Sequence, residues 1–306
     1  MPMRCAAPRP HRFSRLLPAA FFCLLAGAVP ALSQDAGSLR ARHAALREQL
    51  ASNQFRRPIH LESSDKSSEL KGDIYALVEQ PYAVVGPALQ GMDHWCEMLT
   101  LHMNVKSCRI SLPPLRDTLS VDIGRKFDQP LAEPYPFEFL YSVVASGPDY
   151  LQVALSAAQG PLGTSRYRIE LEAAAVDGGR SFLHLSYSYA YGMAARAAMQ
   201  GYLATIGRNK VGFTITGRTP AGEPIYTGGT PGVIERNTMR YYLAIEAHLD
   251  ALSAPAAQRR EASLAAWYAG VERYPLQLHE LGREEYLDMK RNEMRRQQQA
   301  EEANGN

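Results

Sequence analysis

The chain lacks the short signatures by which a catalytic centre is read from sequence. It has no Gly-x-Ser-x-Gly elbow, no His-Glu-x-x-His, no Walker loop and no Gly-x-Gly-x-x-Gly. Serine-nucleophile, zinc-peptidase and nucleotide-phosphate chemistry are therefore not announced, and neither a catalytic residue nor a cofactor is implied. A basic surface is missing too. The formal charge is +2 over 306 residues, and removing the first 33 takes away four Arg and no acid, leaving −2. That is not the footprint of a nucleic-acid binder. After residue 31 no apolar run approaches the roughly 20 residues needed to span a bilayer. Cysteine is scarce, at four residues, and two of these, Cys5 and Cys23, fall within the first 33.

What is present begins with an address. Arg4, Arg9, Arg12 and Arg15 precede an apolar stretch from Leu16 to Ala31 broken by Pro18 and Pro30. Small residues in Ala31-Leu32-Ser33 fit a signal-peptidase site, so residues 1–33 are expected to be a signal peptide cleaved after Ser33. No lipobox precedes Cys23, whose neighbours are Ala20-Phe21-Phe22. The expected location is periplasmic or secreted. In an oxidising compartment the remaining pair, Cys96 and Cys108, most simply forms one disulfide. Two free thiols, or a zinc site with His94 and His102, are the other readings, although His-x-Cys and His-x5-Cys match no usual zinc spacing.

Period and punctuation divide the rest. Residues 34–67 read as an N-terminal helix with Leu39, Leu46 and Leu50 near one face, followed by a candidate edge strand near Pro58–Glu62. A domain over 68–216 opens with a strand from Leu70 to Glu79 and two short helices. One is opened by Pro81 and stopped by Gly91; the other covers Asp93 to Leu99. Strands are predicted at about 102–110, 118–127, 137–146, 149–158, 165–175 and 180–191. Ser146-Gly147-Pro148-Asp149 and Val176-Asp177-Gly178-Gly179 supply hairpin turns. In the last strand Leu183, Leu185, Tyr187, Tyr189 and Tyr191 alternate with His184, Ser186 and Ser188, which predicts one buried and one wet face. On that reading His184 is exposed.

From Gly192 to Phe213 the period turns helical. Ala195, Met199, Tyr202, Ile206 and Phe213 share a stripe, with Asn209 on it. Gly201, Gly207 and Gly212 cost this helix about 1 kcal/mol each relative to Ala, which close packing on the sheet or room for a bound molecule would explain. Residues 217–232, rich in Gly, Pro and Thr, read as a linker or ordered loop. Residues 233–306 read as a helical extension of three segments with a polar tail.

This order of elements resembles the START-like helix-grip (SRPBCC) superfamily over residues 68–216. Gly72-Asp73-Ile74-Tyr75, His94-Trp95-Cys96-Glu97 and Leu101-His102-Met103-Asn104-Val105-Lys106 leading to Cys108 resemble its exported bacterial branch. The resemblance implies an α+β fold in which a curved antiparallel sheet of about seven strands wraps a long C-terminal helix. It also implies a hydrophobic cavity of the kind whose owners bind sterols, phospholipids, polyketides or plant hormones.

The expected ligand-binding set is Tyr187, Tyr189, Tyr191, Met199, Tyr202, Ile206 and Asn209. Alternate residues of one strand share a face, and tyrosine offers an apolar wall with a polar tip. The expected partner is a hydrophobic or lipid-like small molecule held by a periplasmic carrier, with no metal and no nucleic acid. Two alternatives stand beside it: a polyketide-cyclase or aromatase-like enzyme using the same cavity, and an envelope module whose C-terminal helices touch a membrane or protein.

Overall fold

The computed structural model describes residues 35–66, 68–111, 117–129, 134–205 and 207–304. The expected signal peptide lies outside these, as does Ile206. Helices α1 (Ala36–Ala45) and α2 (Arg47–Ala51) lead into strands β1 (Ile59–Lys66) and β2 (Glu69–Val78). Helices α3 (Tyr82–Gln90) and α4 (Met92–Leu101) follow, then strands β3 (Val105–Ser111), β4 (Thr118–Ile123), β5 (Tyr135–Ser146), β6 (Tyr150–Gln159), β7 (Thr164–Val176) and β8 (Arg180–Tyr191). After them come α5 (Met193–Ala204), a small hairpin of β9 (Ile215–Arg218) and β10 (Pro224–Tyr226), and α6 (Gly229–Ala251). Helices α7 (Arg259–Glu272), α8 (Pro275–Leu278) and α9 (Arg283–Asn304) complete the chain.

Among the described residues, eight strands form one antiparallel sheet in the order β1-β2-β8-β7-β6-β5-β4-β3. The last strand returns to pair with β2, placing Gly72 opposite Tyr187 and Ile74 opposite Leu185. Along β8, Leu183, Leu185, Tyr187 and Tyr189 face the inner side, where they join Ile169, Leu171, Val153 and Phe139 in the main core. This is an α+β helix-grip fold with a long helix against the sheet and further helices behind it.

The helix that fills the sheet is not the expected one. The segment after Gly192 is helical only to Ala204, and Thr205, at φ −119° and ψ −99°, ends it. Among its residues only Ala195 is buried, and Met193 is 90 % exposed. The core helix is α6, whose Ile234, Met239, Leu243 and Ile245 belong to the main core. It is buried on nearly every side, so no single apolar stripe marks it.

The expected linker or loop also proves to be structured. Residues 217–232 hold the β9–β10 hairpin and the first turn of α6. Glu235 secures this region from within the core. Its carboxylate accepts the N–H groups of Phe213 and Thr214 at 2.5 and 2.9 Å, and the hydroxyls of Thr214 and Ser63 at 2.6 and 2.7 Å. A buried carboxylate with four donors is one whose desolvation is met by hydrogen bonds. No boundary separates residue 216 from the helices beyond: Trp267, Leu278 and Tyr286 share the core with the strands.

Part of the outer face of the sheet is covered rather than wet. Leu39, Leu46 and Leu50 of the N-terminal helices cover Phe182, Ala174 and Tyr150. Arg40 anchors α1 by donating to the carbonyl of Ala175 at 2.9 Å and to Asp149 at 2.6 Å. His184 is thereby buried at 8 % exposure, between Glu172 (Nδ1 to Oε2, 2.7 Å) and Asp73 (Nε2 to Oδ1, 2.9 Å). The polar period along β8 was genuine, but a second amphipathic element covers it.

Candidate functional site

A cavity of about 540 Å³ lies between the inner face of β7 and β8, the amino-terminal half of α6 and the underside of α5. The strands place Tyr167, Tyr187, Tyr189 and Tyr191 in its wall, because residues two apart on a strand share a face. Helix α5 roofs it with Ala195, Met199 and Tyr202, and α6 contributes Val233, Arg236, Asn237 and Arg240. Asn104 and Lys126 also line it. A second chamber of about 200 Å³ shares Asn104, Tyr167, Tyr187 and Asn237 with the first, and adds His102, Ile123, Phe137, Phe139 and Tyr241. The volume of the first suits a small organic molecule.

The aromatic wall is a contact network. Tyr167 stacks on Tyr189 with centroids 5.1 Å apart and meets Phe137 edge-on at 4.9 Å. Tyr187 meets Tyr241 edge-on at 5.1 Å. Burial raises the hydroxyl pKa of Tyr187 and Tyr241, as it does for Tyr167 and Tyr189. All four stay protonated at neutral pH and can donate a hydrogen bond. At the rim, Asp65 accepts the hydroxyls of Tyr191 at 2.8 Å and Thr230 at 2.6 Å, tying β8 to the start of α6.

His102 is the polar point of the inner chamber. The backbone N–H of Asn104 donates to its Nδ1 at 3.2 Å, so in the neutral ring the proton sits on Nε2. That Nε2 is buried with no hydrogen-bond partner among the described residues. Burial first, then the cations Arg240, Lys290, Lys126 and Lys106, hold its pKa well below the usual 6.5. The ring stacks on Tyr241 at 5.0 Å. The N–H of this neutral imidazole, on a residue that lines the chamber, is an unused donor.

Of the expected ligand-binding residues, Tyr187, Tyr189, Tyr191, Met199 and Tyr202 meet around this one cavity. Asn209 does not: it is exposed and outside the lining, because the helix that would have carried it ends five residues earlier. Sequence reading missed Tyr167, Asn104, Lys126, Arg236, Asn237, Arg240 and Tyr241. The signal for Tyr167 was present, since it alternates with buried Ile169 and Leu171. Arg236 and Arg240 are spaced i,i+4, which puts both on one helical face. Cys96 and Cys108 form a disulfide with Cα atoms 5.3 Å apart, which removes the free-thiol and zinc readings of that pair.

No family model matches the chain, and no curated protein matches it. Solved structures similar to it include norcoclaurine synthase from Thalictrum flavum, with 13% identity over 45% of this chain and 83% of that one, at TM-score 0.31. A START superfamily protein from Mycobacterium smegmatis shares 10% identity over 45% of this chain and 92% of its own, at TM-score 0.28. The Zhui aromatase/cyclase from Streptomyces sp. R1128 shares 11% over 70% and 96%, at TM-score 0.32. Matches at this level carry no weight for a ligand or a reaction.

Proposed function

We propose that this chain is an exported carrier that shields a hydrophobic small molecule from water, in the periplasm or outside the cell. The observation behind the reading is the tyrosine-walled cavity under α5, a helix that buries only Ala195 and so can lift at little cost. Apolar ligand surface removed from water contributes about 25 cal/mol per Å², while Tyr hydroxyls orient a polar end. The Arg-rich leader and the Cys96–Cys108 bond support export. Native mass spectrometry of the purified full chain should show a co-purified small molecule that lipid extraction releases. Absence of any adduct, together with no binding across a panel of fatty acids, sterols, phospholipids and polycyclic aromatics, would defeat the proposal.

A second reading has one specific observation behind it. The unused Nε2–H of His102, beside the protonated hydroxyls of Tyr187 and Tyr241, could hold a ligand carbonyl oxygen as negative charge develops on it. A cyclase-type activity would then be abolished by His102→Phe while binding persisted. Equal turnover of wild type and variant would dispose of that role.

A further inference from the structure

The charges that line the cavity do not balance. Glu280 answers three cations at once: Lys126 Nζ lies 2.5 Å, Arg240 Nη2 3.0 Å and Lys210 Nζ 3.4 Å from its oxygens. Arg236, one helical turn before Arg240, donates to the carbonyl of Val211 at 3.1 Å. Lys126, Arg236 and Arg240 all line the cavity, and among the described residues the sole acid in its lining is Asp65, engaged at the rim by Tyr191 and Thr230. The other carboxylate in reach of Arg236, Glu235, is taken up by Phe213, Thr214 and Ser63.

Arg240 makes the imbalance specific. It is 2 % exposed, and its Nε has no hydrogen-bond partner among the described residues. Its Nη atoms reach Glu280, the carbonyl of Leu278 and Asn237, the last two at 3.4 and 3.5 Å. A guanidinium is never deprotonated, so a buried one with an open N–H wants an acceptor. Burial first, then repulsion by Arg240, also brings the Lys126 ammonium down to about 8, the direction of a cation short of counter-charge.

We infer that the cavity takes an amphipathic acid, whose carboxylate or phosphate seats against Arg236, Arg240 and Lys126 while its apolar body lies among Tyr167, Tyr187 and Tyr189. This deepens the carrier reading and rests on it. An acidic group supplies the missing acceptors and the missing negative charge together, which a neutral hydroxyl or carbonyl does not.

The test uses the purified full chain and three probes with one alkyl tail: dodecanoate, dodecyl phosphate and dodecanol, titrated by calorimetry. At least one of the two acids should bind ~tenfold or more tightly than the alcohol, the scale of one charge-assisted hydrogen bond. The better acid tells a carboxylate from a phosphate site. Lys126→Met and Arg236→Met should each reduce the ratio of acid to dodecanol affinity by about tenfold. Lys126 is part-exposed, so its variant does not depend on the core tolerating a change. If dodecanol binds as tightly as both acids, the anion site is wrong and the carrier reading stands. An advantage that survives in both variants also overturns the site. Binding of none of the three would remove this inference; the carrier reading would then rest on the wider panel.

Discussion

Gly72 of β2 lies directly beneath Thr238 of α6, so closely that a Cβ at position 72 would stand 3.1 Å from the Thr238 Cβ and nearer still to its hydroxyl. Thr238 is fully buried and spends that hydroxyl on the carbonyl of Ile234 at 2.8 Å. The strand and the gripping helix thus approach each other at the one position where the strand has no side chain. Gly72→Ala should cost about 1–3 kcal/mol by overpacking, read as a lower urea midpoint at unchanged slope. Thr238→Ala in the same molecule should recover part of it, because the two changes share one contact. A neutral Gly72→Ala would mean that α6 does not sit against this strand.

How far the sequence reveals this arrangement depends on the element. The strands were legible because their period and turn residues are local: Gly147-Pro148 and Gly178-Gly179 end β5 and β7 within a residue or two of the expected positions. The gripping helix was not. Met199 and Tyr202 lie on a clean stripe, yet a stripe shows only that one face meets something apolar, and here it is a roof. The true core helix opens with Gly229-Thr230-Pro231-Gly232 and buries Glu235, Arg236 and Arg240, so its composition imitates a loop followed by a solvated helix. Its polar residues are buried because they secure a loop or face a cavity, which no period records. His184 failed for a related reason. Its partner Glu172 lies directly opposite on β7 and Asp73 comes from β2, 111 residues away, so the cluster exists only once the register does.

That cluster makes stability depend on pH. Both ring nitrogens of His184 face carboxylate oxygens, at 2.7 and 2.9 Å, and the ring stacks on Tyr75 at 4.3 Å. Burial lowers its pKa, but Asp73 and Glu172 more than reverse this, so the folded value lies above 6.5. Its contribution is therefore full below pH 6.5 and lost as pH rises through the folded value. Asp73 behaves oppositely. Burial raises it, His184 and Lys71 lower it further below the usual 3.8, and its contribution is lost only as pH falls through that lowered value. The cluster's own share of the stability, read as the difference between wild type and His184→Gln, should accordingly be greatest between about pH 4 and 6.5 and shrink on the alkaline side. His184→Gln should lower the midpoint at pH 6, by about 3–5 kcal/mol in stability, and flatten the alkaline decline. An unchanged slope between pH 6.5 and 9 in that variant would show that another group controls it.

Gly201 offers a test of the roof. It is the only one of the three expected helix glycines that lies inside α5, and a Cβ there would meet nothing within 4 Å. Close packing therefore does not explain it. Gly201→Ala should make α5 more stable by up to about 1 kcal/mol without moving the global midpoint. The readout is slower amide hydrogen exchange over residues 193–204. If α5 gates the cavity, release of a bound probe should slow by up to about fivefold, the same free energy expressed as a rate. Faster exchange in the variant would show that the open glycine position relieves a strain.

The last helix is fastened by a buried charge cluster, and that fixes what its loss should do. Glu293 of α9 accepts from Lys106 at 2.7 Å and from Lys290 at 2.9 Å, with all three side chains no more than 4 % exposed. Lys290 also donates to the carbonyls of His102 and Val105 at 2.8 and 2.7 Å, and burial brings its pKa down to about 8. Glu293→Gln would leave two buried ammonium groups without a carboxylate, and removing one partner of such a cluster costs about 3–5 kcal/mol. Lys290→Met added to it should restore part of the loss, since only one cation then lacks its partner. Deleting residues 283–306 is expected to do more than Glu293→Gln. It strips Tyr286 from Trp267, on which it stacks at 4.9 Å, and also uncovers Leu287 and Met289. A truncated chain with the full thermal midpoint would show α9 to be an appendage; the shared core and the His102 carbonyl that accepts from Lys290 make it part of the folded unit instead.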